Sequence, residues 1–235
     1  ASGNISMKYN MNSASMSTAS ACATGLHSII YGAKDIMLGD ADVMIAGGTE
    51  GLITPLGVGS FANMQAICKA CNDEPEKASR PFDRERKGFV MGEGAGIVVL
   101  ESLEHAEKRG ARIYAELAGY GLTSDGHHIT APDPDAAEVA RAMQLALDRA
   151  GISGKDVDYI NAHGTSTPDN DASETKAIKK VFKDVAYDLK ISSTKSMTGH
   201  LMGGAGAVET AAWLLSMEKG VVPPTINDEH TEPEC

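Results

Sequence analysis

The chain has 235 residues, 42% of them hydrophobic, and its 21 Lys+Arg against 32 Asp+Glu give a formal net charge of −11. That apolar content is too high and too evenly spread for disorder, the 25 glycines follow no collagen period, and no apolar run nears the roughly 18 residues of a membrane span. The acidic balance argues against nucleic acid as a partner, while Cys22, Cys68, Cys71 and Cys235 are too few and too irregular for a disulfide framework.

Small polar residues from Ser17 to Ala21 lead into a predicted helix whose apolar positions Leu26, Ile29, Ile30, Ala33, Ile36 and Met37 share one face. Gly39 and Asp40 end it. Val43 to Ala46 reads as a buried strand closed by Gly47 and Gly48, one step of a parallel or mixed sheet. Residues 51–82 read as loop with a short helix, followed by a strand over Gly96–Leu100 and a helix over Glu104–Arg109 with a basic last turn. Ile113 to Gly121 reads as a strand, and Asp135 as the N-cap of a helix over Ala136–Ala150 that Gly151 stops. Val157–Ala162 is the next strand and delivers His163 at its carboxyl end. A helix over Ala172–Phe182 and a strand over Leu189–Ser193 follow. The last helix, Gly204–Lys219, carries one mid-helix acid, Glu209, and this sparse charge predicts burial on most faces with Trp213 in the core.

The small-residue runs before two of these helices, Ser17–Gly25 and Ser193–Gly199, echo each other, as two related α/β halves would. The chain begins at Ala1 in mid-pattern and ends at Cys235 without a closing element, so a piece of something longer is expected. With no charged-then-apolar leader at the amino end, a reducing, cytoplasm-like compartment is the reading.

Cys22 falls at a strand-to-helix turn, where unpaired N–H groups and the helix dipole favour thiolate over thiol. Seen alone it is as readily an inert buried thiol. His163 stands at a strand end, where reactive groups gather in α/β sheets, and His200 stands at a turn before a buried helix. Lys195, among small residues, needs a carboxylate partner, for which Asp171 and Glu174 are candidates. Neutral imidazoles can donate hydrogen bonds to an oxyanion or enolate while a thiolate attacks a thioester, with no metal. Cys68 and Cys71 form one CxxC; zinc wants a second ligand pair, and His127–His128 has no standard spacing for one. Gly92–Gly96 is not a dinucleotide fingerprint, and Gly199–Gly206 lacks the lysine of a phosphate loop.

Six segments in order resemble the β-ketoacyl-acyl carrier protein synthases, nearer the KAS II type than KAS I. They are Ser20–Gly25, Thr54–Gly59, Ser79–Asp83, Gly88–Gly96, His163–Pro168 and Ser193–His200. The resemblance implies a thiolase-type α/β fold, layered α-β-α-β-α from two pseudo-repeated halves and incomplete at both ends. Residues 1–110 would be the remainder of the half with the nucleophile, and 111–235 the half with both histidines. It implies that Cys22 takes the acyl chain from acyl carrier protein, that malonyl-acyl carrier protein then decarboxylates, and that His163 and His200 stabilise the enolate. Lys195 would orient the histidines, with Glu174 as its carboxylate partner and Asp171 nearby, and Thr165 and Thr167 would hold the pantetheine arm. No cofactor is implied beyond that carrier-borne arm. A homodimer, no nucleic-acid or membrane partner, and a bacterial cytoplasmic or organelle stroma or matrix location are implied as well.

The chain departs from the family at Ser13-Ala14, where Gly-Pro is usual, and at Cys68–Cys71, where a basic contact to the carrier would be lost or shift to Lys69. The Gly-Phe-Gly-Gly loop, which supplies one N–H of the oxyanion hole, is absent; the other N–H would be that of Cys22. Little activity is therefore expected from these 235 residues alone. The rival readings are a thiolase acting on coenzyme A esters, a non-catalytic partner like the chain-length factors, and a zinc-stabilised binding module.

Overall fold

A computed structural model describes residues 2–235. In chain order the elements are α1 (Ser2–Tyr9), α2 (Thr24–Leu38), β1 (Val43–Glu50), α3 (Pro55–Asn63), β2 (Gly94–Glu101) and α4 (Leu103–Lys108). They continue with α5 (Ala137–Ala150), β3 (Tyr159–Asn161), α6 (Pro168–Phe182), β4 (Lys190–Ser192), α7 (Lys195–Thr198) and α8 (Ala205–Lys219). The chain forms two compact units that interleave in sequence. The first takes residues up to Gly51, Glu93–Glu116 and Leu201–Glu218; the second takes Leu52–Gly92, Leu117–His200 and Lys219–Cys235. Among the described residues no helix is long and apolar enough to cross a membrane.

In the first unit β1 and β2 pair antiparallel, from Val43 opposite Glu101 to Glu50 opposite Gly94. The strand expected to close at Gly47 therefore runs on to Glu50. Glycine is required on both strands because the backbone over Gly203–Ala207, leading into α8, approaches them closely. A side chain at Gly48 would meet the Gly203 carbonyl at 2.5 Å, and one at Gly96 the Ala207 carbonyl at 2.5 Å. The same closeness sets the buried face of α2. A Cβ at Gly25 would lie 2.8 Å from the Ala207 nitrogen, and one at Gly32 3.2 Å from Leu100. The helix buries Gly25, Ile29, Ile30 and Gly32, whereas Leu26 and Met37, both expected on the apolar face, are 45% and 69% exposed. Hydrophobic periodicity registers side chains, and this contact is made by their absence.

Gly96→Ala should consequently destabilise the protein by about 1–3 kcal/mol, the usual range for overpacking against atoms that cannot move aside. Gly59→Ala, on α3 with nothing within 4 Å, should be neutral or mildly stabilising. Urea unfolding of both variants checks the pair; equal midpoints would remove the close-approach argument.

The burial expected for α8 is confined to its first turn, Ala205, Gly206 and Ala207. Leu215 and Met217 are each 51% exposed, and Trp213 is half-buried rather than core. Sparse charge says only that a helix face is weakly solvated; it does not supply the neighbour that covers it.

In the second unit β3 and β4 pair parallel, Tyr159 with Lys190 and Asn161 with Ser192. Its core joins α5 to α6 through Leu147, Ile178, Phe182 and Ala186, with Met143, Val157, Ile160, Val181 and Leu189 packed around them. Each such fully buried large side chain contributes about 2 kcal/mol. Residues 113–121 form no strand, contrary to the expectation from their sequence. Instead Gly119 and Gly121 lie against α5, where a Cβ would run into the Ala146 and Ala142 carbonyls. Asp135 does not cap α5. Ala136 occupies the cap at φ 51° with no side-chain bond, and the Asp135 carboxylate pairs with Lys176 at 3.0 Å. Helix α6 starts at Pro168, four residues earlier than the apolar pattern predicts, with proline in its favoured first turn.

Candidate functional site

In the first unit Cys22 precedes α2 on a sharp turn. Ala21 sits at φ 49°, the left-handed region that costs an alanine energy and so needs support from its neighbours. Thr24 supplies that support: its Oγ1 accepts from the Ser20 N–H at 2.9 Å and donates to the Ala21 carbonyl at 2.8 Å. The Ala23 N–H donates to the Ser20 carbonyl at 3.1 Å, closing the turn. The helix cap, Ala23, has no side chain with which to bond the first-turn N–H groups. The positive end of a 15-residue helix thus adjoins the half-buried Cys22 thiol, as its sequence position implied.

In the second unit the parallel strands β3 and β4 place His163 and the Ser193–Lys195 segment at adjacent strand ends. The Ser193 Oγ donates to the Gly164 carbonyl at 2.7 Å and fastens the two ends together. His200 follows α7 through Gly199, at φ 70°, where a Cβ would lie 2.9 Å from the Val90 carbonyl. The His200 N–H donates to that same carbonyl at 2.7 Å, and the Gly92 N–H donates back to the His200 carbonyl at 3.0 Å. The imidazoles of His163 and His200 meet edge to face with centroids 5.2 Å apart, and Phe89 packs edge-on against His200 at 5.3 Å.

Burial, then the charge of Lys195, pushes the His200 imidazole down to about 3. Burial drives His163 well below its ordinary value too, with Lys195 and His200 adding to the effect. Both rings are neutral near pH 7. Lys195 itself is 1% exposed. Glu174, a candidate partner for it by sequence, accepts the His163 and Gly164 N–H groups at 2.6 and 2.7 Å. Burial raises the Glu174 carboxyl, and those two bonds and the Lys195 charge hold it down in part. Glu174 thus anchors the backbone of the histidine, with the lysine charge close by.

Acid should accordingly weaken the fold. An unfolded imidazole titrates near 6.5 and the folded His200 near about 3, so the unfolded chain binds more protons across that window. Stability contributed by the neutral ring is present above about 6.5 and is lost as pH falls toward 3. Glu174 and Asp171, both raised by burial, act in the opposite sense where they take up protons while folded. The urea midpoint should fall between pH 7 and pH 5, and less steeply in His200→Asn. Parallel slopes in the two proteins would refute this.

Thr165 and Thr167 share a hydrogen bond between hydroxyls at 2.8 Å. Asp171, the other carboxylate considered for Lys195, is fully buried and lies 3.6 Å from the Arg86 guanidinium. Its Oδ2 also accepts the Phe82 and Ser166 N–H groups at 2.9 and 3.2 Å. Sequence reasoning does not single out Arg86 or Asp83. Both sit in or beside the family-like segments, yet charged residues in a loop ordinarily read as solvated surface. Asp83 is fully buried and accepts the Glu85, Glu229 and His230 N–H groups, with Arg80 at 3.1 Å. Those bonds outweigh burial and lower its carboxyl below the ordinary value.

The Cys68 thiol lies 3.5 Å from the Ala70 carbonyl. His128 spends its Nδ1 on the Thr130 and Ala131 N–H groups, both at 3.2 Å. Among the described residues no cluster of three metal-ligating side chains takes in Cys68 or Cys71.

Two family models match the chain: "Beta-ketoacyl synthase, N-terminal domain" over residues 1–106 and "Beta-ketoacyl synthase, C-terminal domain" over residues 114–229. The chain is 54% identical over its whole length to 3-oxoacyl-[acyl-carrier-protein] synthase 2 of Coxiella burnetii, of which it covers 56%. It is 50% identical over 99% of its length to the mitochondrial 3-oxoacyl-[acyl-carrier-protein] synthase of Arabidopsis thaliana, covering 51% of that protein. It thus spans about half the length of these relatives. All of the chain superposes at a TM-score of 0.97 and 41% identity on 57% of a ketosynthase chain from a type II polyketide complex of acyl-carrier protein and ketosynthase. A β-ketoacyl synthase from Burkholderia phymatum matches at 0.93 and 40% identity, over 99% of this chain and 55% of that one.

Proposed function

The chain belongs to the β-ketoacyl synthase family, whose thiolase-like α/β fold it shares, and from that premise we propose that it carries the chemistry of a condensing enzyme that elongates fatty acids. Cys22 exchanges its thiol proton for an acyl group, releasing the carrier thiol. Malonyl bound to acyl carrier protein loses carbon dioxide, and the electron pair left behind is held as an enolate at the thioester oxygen. His163 and His200, as neutral donors, stabilise that oxygen. The enolate carbon attacks the acyl carbonyl on Cys22, and collapse of the adduct expels the thiolate and leaves the 3-oxoacyl product on the carrier. Thr165 and Thr167 hold the pantetheine arm, while Lys195 and Glu174 orient and charge-tune the histidines. Residues 1–110 bring the nucleophile and 111–235 the histidines. Acyl carrier protein is the partner, a homodimer the working assembly, and the bacterial cytoplasm or an organelle stroma or matrix the setting.

The observation that carries this reading is the pair of neutral imidazoles, His200 buried and His163 half-buried, edge to face at 5.2 Å beside a buried lysine. A cationic pair would bind the malonyl carboxylate and resist its loss, whereas neutral donors favour the charge that appears on the thioester oxygen only during reaction. The test uses the protein expressed from its complete reading frame, supplied with acyl- and malonyl-acyl carrier protein. Carbon dioxide release and a 3-oxoacyl product are expected. Turnover confined to coenzyme A esters, without decarboxylation, would favour a thiolase and overturn the proposal.

A further inference from the structure

We propose that Arg86 is a positioning residue for the arm-binding turn Thr165–Pro168, acting with Asp171 as a buried ionic lock; this rests on the condensing-enzyme reading above. Arg86 is 6% exposed, and its side chain meets its own loop at Asp83, the stretch Thr167–Asp171, and Glu232. Its Nε donates to the Thr167 carbonyl at 3.1 Å, its Nη2 to the Pro168 carbonyl at 2.8 Å, and its Nη1 to the Asp83 carbonyl at 3.0 Å. Nη1 also meets the Glu232 carboxylate, and Nε lies 3.6 Å from Asp171 Oδ2. A buried guanidinium tolerates no lost partner, so these bonds form together or fail together.

What they hold is a strained turn. Ser166, fully buried, sits at φ 69°, a conformation a serine adopts only when its surroundings impose it. Asp171 takes the Ser166 N–H, the Gly88 N–H donates to the Ser166 carbonyl at 3.0 Å, and the Arg80 N–H donates to the Ser166 Oγ at 3.1 Å. Arg86 fixes the next two carbonyls. The lock therefore spans the turn from the Ser166 amide to the Pro168 carbonyl, and the Thr165 and Thr167 hydroxyls on either side of Ser166 are brought to 2.8 Å of each other. Lysine keeps the charge but lacks the planar fork that reaches two successive carbonyls and a carboxylate at once.

The discriminating measurement compares two malonyl donors in the protein expressed from its complete reading frame: one on phosphopantetheine, one a short thioester without the arm. Arg86→Lys and Asp171→Asn should raise KM for the arm-bearing donor roughly tenfold, the scale of a lost charge-assisted hydrogen bond, and leave kcat/KM for the short donor within about twofold. Thermal unfolding run alongside reports any loss of fold. Equal losses on both donors, or no loss on the arm-bearing one, would overturn the positioning role. If the unsubstituted protein turns over neither donor, the condensing reading itself has failed, and the variants are not needed to see it.

Discussion

Cys22→Ala should abolish acyl-enzyme formation and reduce condensation by at least roughly 1,000-fold, the scale of losing a covalent nucleophile. The turn before α2 explains why a thiol at this position would be reactive. Thr24 holds Ala21 in the left-handed region, and the cap residue, an alanine, leaves the first-turn N–H groups without a side-chain acceptor. Alanine at position 22 keeps the backbone of the turn and removes the sulfur, and thermal unfolding run alongside reports any loss of fold. The intact mass of the protein after incubation with acyl-acyl carrier protein is the measurement. One acyl increment that disappears in Cys22→Ala is expected. An increment that persists, or product still formed at the parent rate, would place the nucleophile elsewhere.

His200→Ala should slow malonyl decarboxylation by about 100- to 1,000-fold, the range for removing one donor to a developing oxyanion. It should change acyl transfer to Cys22 far less. The reason is the state of the ring: pushed to about 3 by burial and by Lys195, it is neutral across the physiological range and can donate without carrying charge into the site. His200 is also placed by contacts that survive loss of the ring, its backbone N–H to Val90 and its carbonyl to Gly92. Separate assays of carbon dioxide release and of acyl-enzyme formation divide the roles. Loss of acyl transfer with decarboxylation intact would assign His200 to the thiol instead of the malonyl group.

The side chains proposed to react are legible in the sequence. Cys22, His163, Lys195 and His200 each follow a strand or turn signal, and a small or glycine residue precedes each of them. How those residues are held is not legible there. Residue types alone leave Glu174 and Asp171 both as candidate partners for Lys195, and the family resemblance favours Glu174. In the fold Glu174 anchors the His163–Gly164 amides, and Asp171 belongs to Arg86 and the Ser166 turn. Helix α6 shows why. Its buried side is carboxylate and hydroxyl at the amino end, Asp171, Glu174 and Thr175, and apolar at the other, Ile178 and Phe182. An apolar periodicity finds only the second half, which is also why it places the helix start four residues late.

Sequence alone determined most of the helices and strands, the family resemblance and the set of candidate reactive groups, because these depend on residue types and spacings that are local. Tertiary structure alone decided the glycine-to-backbone contacts of Gly25, Gly48 and Gly96, the absence of a strand over 113–121, the uncovered flank of α8, and the burial of Asp83 and Arg86. Each of these depends on what stands opposite. A strand needs a ladder and a helix face a cover, while a buried charge needs partners from distant segments. The net charge of −11 likewise carries no trace of the ionic lock. Its guanidinium and carboxylates come from positions 86, 171 and 232, and only folding brings them within bonding distance.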